Sequence, residues 1–273
     1  EMLSGDWSSD VCSSDLFLPG LIVDRYGAGI VVQMLTAGME FFRDEILDIL
    51  RKAVKPSFIV ERSDIASRLE EGLEERAGVI EGIVDGPVEI RENGFRFRTD
   101  LLRGQKTGFY FDQRDSRGMI GGFSKGKRVL NLFSYTGGFS VYAAAGGASE
   151  VVSVDASGPA LELAKENMEL NGYGDLPAGY VRSDVFDFLN AEKGPWDVIV
   201  LDPPAFATRK AQAEQAARGY KDLNMRCLRK IAPGGVLAAY SCSHHIDRAL
   251  FRQIVYSAAA DSGRDVQVIV QTS

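Results

Sequence analysis

The sequence predicts an α/β fold with a mostly parallel sheet, preceded by a small α+β domain, on three observations. After Gly118, short β-rich runs alternate with glycine turns and helical segments, the rhythm of parallel βαβ units. Before Leu102 the runs are joined by tight turns instead, and Asn93-Gly94 supplies the positive φ values of a type I′ hairpin. A chain of 273 residues, 45% hydrophobic and 25% charged, can bury a small core beside a medium one. The expected division is residues 17–102 for the small domain and 103–273 for the larger.

Residues 1–16 are expected to stand outside the fold. The stretch DWSSDVCSSDL, Asp6 to Leu16, has no apolar period, no cap leading into a helical pattern and no signal-peptide core. Its letters also match one translated frame of a common sequencing-adapter oligonucleotide, which marks the segment as adapter-like and non-native. Beyond it, Leu21 to Val23 and Ile30 to Leu35 read as strands around a turn. Met39 to Val54 reads as one helix with Phe42, Ile46, Leu47, Ile49 and Leu50 at helical spacing, stopped near Pro56. Phe58 to Glu61 is a strand, Asp64 to Leu73 a charged helix, and VEIRENGFRFRTD the hairpin.

In the larger domain the strands are Arg128 to Phe133, Glu150 to Val154, Gly179 to Val181, Val198 to Leu201, Val236 to Tyr240 and Val266 to Val270. The clearest helix is Pro159 to Asn171, opened by proline and stopped by Asn171-Gly172. The closing strand pattern at Val266 to Val270 ends without a further element, so the chain is expected to be cut at that end also.

Composition narrows the function. No apolar run approaches the roughly 20 residues that cross a bilayer, so no membrane association is expected. Cys12, Cys227 and Cys242 are too scattered for a disulfide framework or a zinc site, which fits a reducing cytoplasm. A metal site needs ligands beyond the two histidines, His244 and His245, and none is expected. The net charge of -7 argues weakly against nucleic acid. One segment opposes it: Arg103, Lys106, Arg114, Arg117, Lys125, Lys127 and Arg128 face only Asp112 and Asp115, as either a phosphate-binding stretch or a solvated loop.

Chemistry is concentrated where strands end. The run RVLNLFSYTGG places Gly137 and Gly138 at a strand-to-helix turn, where backbone amides can meet a ligand or where a helix simply packs. It is not G-x-G-x-x-G, which lowers the case for a nicotinamide enzyme. Asp155 ends the second strand, in position to accept both hydroxyls of a ribose, and Asp184 follows the third, near where an adenine amino group would lie. Either aspartate alone could be a helix N-cap. Together, after a glycine turn, they favour an adenosine site.

The fourth strand, WDVIVLDPPAF, delivers Asp202, Pro203 and Pro204 to the open edge of the sheet, and Phe206 is an aromatic that could stack on a base. The fifth ends AAYSCSHH, with Cys242 just past the strand. A thiolate adding to carbon 6 of a pyrimidine makes carbon 5 nucleophilic, whereas a small cysteine is otherwise an inert core residue. Cys227, inside a helical segment, reads as core.

At these residues the sequence resembles the RlmI-type ribosomal large-subunit 5-methylcytosine methyltransferases. The motifs are LPGLIVDRYG, GQKTGFYFDQRDSR, NLFSYTGGFSV, DPPAF, GYKDLN and SCSHH, spread from about Leu18 onward. The resemblance implies a Rossmann-like class I methyltransferase fold, S-adenosyl-L-methionine as methyl donor and ribosomal RNA as partner. Phe133, Ser134, Tyr135, Thr136 and Gly137 would then hold the donor with Asp155, Ala156, Ser157, Asp184, Val185, Asp202 and Pro203. Cys242 would be the nucleophile, and Asp202 a geometric candidate for the base. Lys106, Gln113, Arg114, Arg117, Pro204, Phe206, Lys221, Asn224 and His244 would contact RNA. Members usually begin with a PUA-type RNA-binding module, whose end would fall at the adapter-like residues, and further strands are expected after Thr272. Ala205 stands where some RNA methyltransferases carry a second cysteine beside the proline motif. Two rivals remain: a methyltransferase acting on another base, such as guanine, without a cysteine nucleophile, and a catalytically silent RNA-binding protein of the same fold.

Overall fold

The computed structural model describes residues 18–206, 212–243 and 246–272; the adapter-like segment and His244 lie outside the described residues. The chain divides into two compact units, up to Asp115 and from Ser116 onward.

The first unit is built on a four-stranded sheet of order β1-β2-β3-β4. Its strands are β1 Leu21–Tyr26, β2 Gly29–Met34, β3 Ile59–Ser63 and β4 Arg76–Glu81. β1 and β2 pair antiparallel, with Tyr26 opposite Gly29, so the turn is tighter than the sequence suggests. β3 joins β2 in parallel and β4 returns antiparallel. Leu21, Ile30, Val32, Met34 and Ile59 form a core with Leu47 of α2 (Arg43–Val54). The predicted long helix is broken. Thr36 caps a short α1 (Ala37–Phe41), whose end at Phe42 starts α2 afresh.

The charged helix expected over 64–73 shrinks to α3 (Ser67–Glu70). The reason is Arg68, 1% exposed, which donates to the Glu74 and Met34 carbonyls and pairs with Glu40 at 2.8 Å. Those bonds require the chain to turn sharply after Glu70. The hairpin of β5 (Val88–Glu92) and β6 (Phe95–Thr99) forms as expected, with Asn93 and Gly94 both at positive φ.

The second unit holds a five-stranded parallel sheet of order β11-β10-β7-β8-β9. Its strands are β7 Arg128–Leu132, β8 Glu150–Asp155, β9 Ala178–Arg182, β10 Trp196–Leu201 and β11 Ile231–Ala239. α4 (Arg114–Phe123, starting at the end of the first unit) precedes them, α5 (Gly138–Ala145), α6 (Gly158–Leu170), α7 (Val185–Ala191) and α8 (Ala213–Lys230) connect them, and α9 (Arg248–Ser262) follows. Strand alternation serves both faces. Val129, Val198 and Val200 meet Ile120 and Phe139 on one side, and Leu130, Ile199 and Leu201 meet Leu189, Leu223 and Cys227 on the other.

The expected strand over 266–270 is absent, which corrects the sequence reading. Val268, Ile269 and Val270 are 41%, 58% and 52% exposed. An alternating β-branched run becomes a strand only where another segment supplies ladder bonds, and among the described residues none does. In this order the chain leaves β7 first toward β8 and β9, then returns beside it as β10. Open sheets bind ligands at such a reversal, outside the carboxyl ends of the strands.

Candidate active site

The turn after β7 is held in an uncommon conformation. Phe133, Tyr135 and Gly137 have φ of 57°, 47° and 77°, and for the two aromatic residues the left-handed region costs on the order of 1–3 kcal/mol each. Three fixings hold it. Ser134 N donates to Val154 O at 3.0 Å, Tyr135 N donates to Asp155 Oδ2 at 2.8 Å, and Asn167 of α6 donates to Thr136 O at 2.9 Å. Gly137 cannot carry a side chain: a Cβ there would stand 2.8 Å from Ala164 Cβ. The hydroxyl of Ser134 is buried and has no hydrogen-bond partner among the described residues.

Asp155 and Asp184 prove unlike. Asp155 is 9% exposed, and its two oxygens accept the Tyr135 and Ser157 amides at 2.8 Å each, so the carboxylate braces the glycine turn. Asp184 is exposed and caps α7, taking the Phe186 and Asp187 amides at 2.8 and 3.2 Å. Ser157 caps α6 in the same way, Val185 is buried in the core, and Ala156 is exposed.

At the tips of β10 and β11 the structure brings two sequence candidates together. Tyr240 N donates to Leu201 O at 2.9 Å, carrying the pairing one residue past β11, and Cys242 follows. Cys242 is exposed, with its sulfur 3.9 Å from Asp202 Oδ1. Pro203 is buried and Pro204 exposed beside them. Cys227 is fully buried in the core, where desolvation pushes its thiol well above the usual range. Iodoacetamide at neutral pH is therefore expected to alkylate the Cys242 peptide at least about 100-fold faster than the Cys227 peptide, read by mass spectrometry.

The expected RNA-contacting residues scatter. Phe206 faces inward, its ring centroid 4.8 Å from that of Tyr220. Lys221 pairs with Asp261 at 2.7 Å, and Asn224 is fully buried and donates to Tyr220 O at 2.8 Å. Arg117 is 3% exposed, with its side chain against Gly138 at the start of α5. In the first unit, Lys106 lies over the Tyr110 ring and 3.4 Å from Asp112, Arg114 is 3.5 Å from Glu92, and Gln113 is half-buried.

Sequence reasoning passed over Tyr240. Burial pushes its phenol up to about 12, with the Asp202 charge adding to the rise and the Ser116 hydrogen bond and Arg117 charge opposing it. It therefore stays a neutral hydroxyl at physiological pH, beside Asp202. It also passed over Tyr220 and Ser243, whose only signal was their place inside GYKDLN and SCSHH.

With this geometry in place, the chain can be compared with known proteins. The family model for S-adenosylmethionine-dependent methyltransferases matches residues 78–260. The ribosomal RNA large subunit methyltransferase I of Aeromonas salmonicida is 52% identical over 92% of this chain and 65% of its own length. That of Vibrio cholerae is 46% identical over the same shares. The chain thus spans about two-thirds of the length of these relatives. A methyltransferase crystallised with SAH superposes with a TM-score of 0.76 at 27% identity, over 88% of this chain and 62% of that one. A SAM-dependent methyltransferase from Streptococcus mutans gives 0.75 at 26%, over the same shares.

Proposed function

The chain belongs to the S-adenosylmethionine-dependent methyltransferase family, and from that premise we propose that it methylates carbon 5 of a cytosine in large-subunit ribosomal RNA, with Cys242 as covalent nucleophile. The observation that carries this reading is the exposed Cys242 sulfur 3.9 Å from Asp202, at the carboxyl edge of the sheet. The RNA class follows from the 52% identity to a protein named for large-subunit ribosomal RNA.

The residues at the β7 turn fit the donor. A buried Ser134 hydroxyl with no hydrogen-bond partner among the described residues, a rigid turn and the Asp155 carboxylate offer polar groups to a nucleoside with an amino-acid tail. Asp184 and the start of α7 lie at the adjacent strand end. When bound, S-adenosylmethionine supplies an electrophilic methyl group on a positively charged sulfur.

The rest is the work of the chain's own residues on the base. Cytosine carbon 5 is a poor nucleophile. With its proton lost to solvent at the exposed site, the Cys242 sulfur adds to carbon 6 as a thiolate; this breaks the ring double bond and moves its electron pair to carbon 5, which would then bond the methyl carbon as that carbon's bond to the donor's sulfur breaks. Loss of the carbon 5 proton to a base, with departure of the sulfur from carbon 6, restores the double bond. Asp202 is assigned that proton because its carboxylate is the acceptor beside the sulfur. Lys106 and Arg114, partly exposed cations, are assigned to phosphates.

Bisulfite mapping of ribosomal RNA from cells lacking and regaining the full-length gene tests the substrate. One large-subunit cytosine should lose its protection and recover it. A map without such a position would overturn the reading, and a purine methyl group found lost in its place by mass spectrometry of the digested RNA would indicate direct transfer.

A further inference from the structure

Helix α8 carries the GYKDLN motif, and the chemistry above uses none of it. Within it, Tyr220 is fully buried, and its hydroxyl lies 2.9 Å from Ser243 Oγ. Ser243, 4% exposed, also accepts the Phe206 amide on that same oxygen at 3.1 Å. One serine hydroxyl thus joins the loop after β10, the loop after β11 and the helix between them in sequence. Ser243 is further fixed through its backbone, its amide donating to Ser241 Oγ at 3.3 Å and its carbonyl accepting from Ile246 N at 2.9 Å. Cys242 is the residue between the two serines. The Tyr220 ring is itself wedged between Phe206 and Phe251, at centroid distances of 4.8 and 5.6 Å.

We propose that Tyr220 and Ser243 are positioning residues for methyl transfer: their hydroxyl pair clamps the two strand-tip loops together and so sets where the Cys242 sulfur stands relative to Asp202. The inference rests on the covalent reading of Cys242. Its physical basis is that buried hydroxyls bonded to one another and to a backbone amide are costly to separate, because each would lose its partner without gaining water. A loop held on the protein side by such a bond cannot drift, whereas a tip fixed only by exposed contacts can. Misplacing a reacting group by about 1 Å can cost a rate on the order of 100-fold.

The test uses the full chain with Tyr220→Phe, Ser243→Ala and Ser243→Thr, each in two assays. In the first, kcat for RNA methylation should fall about 10- to 100-fold in Tyr220→Phe and Ser243→Ala, with KM for RNA and donor within about threefold of wild type. Ser243→Thr, which keeps the hydroxyl, should recover most of the rate. In the second, which needs neither RNA nor donor, the iodoacetamide alkylation rate of the Cys242 peptide should change at least about threefold in the first two variants and stay near wild type in the third. Unchanged kcat and unchanged alkylation in Tyr220→Phe would overturn the clamp. So would equal losses in kcat and donor affinity with no recovery in Ser243→Thr, the pattern of general damage. Cys242→Ala in the same methylation assay separates the two claims. If it is inactive while Tyr220→Phe works at the wild-type rate, the clamp alone is wrong. If it turns over, the covalent reading and the clamp's purpose fall together.

Discussion

Cys242→Ala is expected to lower methyl transfer by about 1,000-fold or more while leaving donor affinity within about twofold of wild type. The sulfur is exposed just past β11 and, among the described residues, belongs to none of the buried core clusters, so truncating it opens no cavity there. Its loss should therefore not register as instability. The turn after β7, to which the donor is assigned, is held by other bonds, those to Val154 O, Asp155 Oδ2 and the Asn167 side chain. Single-turnover methylation of RNA together with calorimetry using S-adenosylmethionine separates the two effects. A variant retaining a tenth of the wild-type rate would mean that the methyl group passes directly to a ring or exocyclic atom, with no covalent step.

Asp155→Ala should weaken the donor about 100-fold, close to 2.7 kcal/mol, through a different route. One carboxylate accepts the Tyr135 and Ser157 amides at 2.8 Å each, so its removal strands two amides and releases a turn already in unfavourable left-handed conformations. Asp155 is 9% exposed, so water can replace those bonds only partly. Asp155→Asn should fall between the two, since its amide group offers one acceptor in place of two and turns a donor toward an N–H. Calorimetry with the donor reads the affinity, and urea unfolding checks that the sheet persists. Unchanged affinity in Asp155→Ala would show that the turn neither depends on this carboxylate nor presents the donor site.

The readings that succeeded rested on local chemistry. Asn93-Gly94 names its turn, and the apolar run Val198 to Leu201 names a strand buried on both faces. Gly137 names a place where backbone must come close to a neighbour. The readings that failed needed a partner. Val266 to Val270 has strand composition and no ladder, and the helix around Arg68 is cut short by carbonyls that reach it from Met34 and Glu74.

The candidate site divides along the same line. Asp202 and Cys242 were visible in the sequence as chemical types at the ends of strand-like runs, since acid, proline pair and thiol carry their meaning in their own atoms. The sequence by itself also determined the alternation of strand and helix that forces a parallel sheet, because period and glycine placement are properties of a single segment. Only the tertiary structure decided that Asp155 braces a turn, that Asp184 caps a helix, that Lys221 and Asn224 serve α8, and that Tyr220 reaches Ser243. Each of those roles is a hydrogen bond or ion pair between residues far apart in the chain or a choice among several local acceptors, and a linear sequence does not encode which buried group meets which until the sheet brings the loops to one edge.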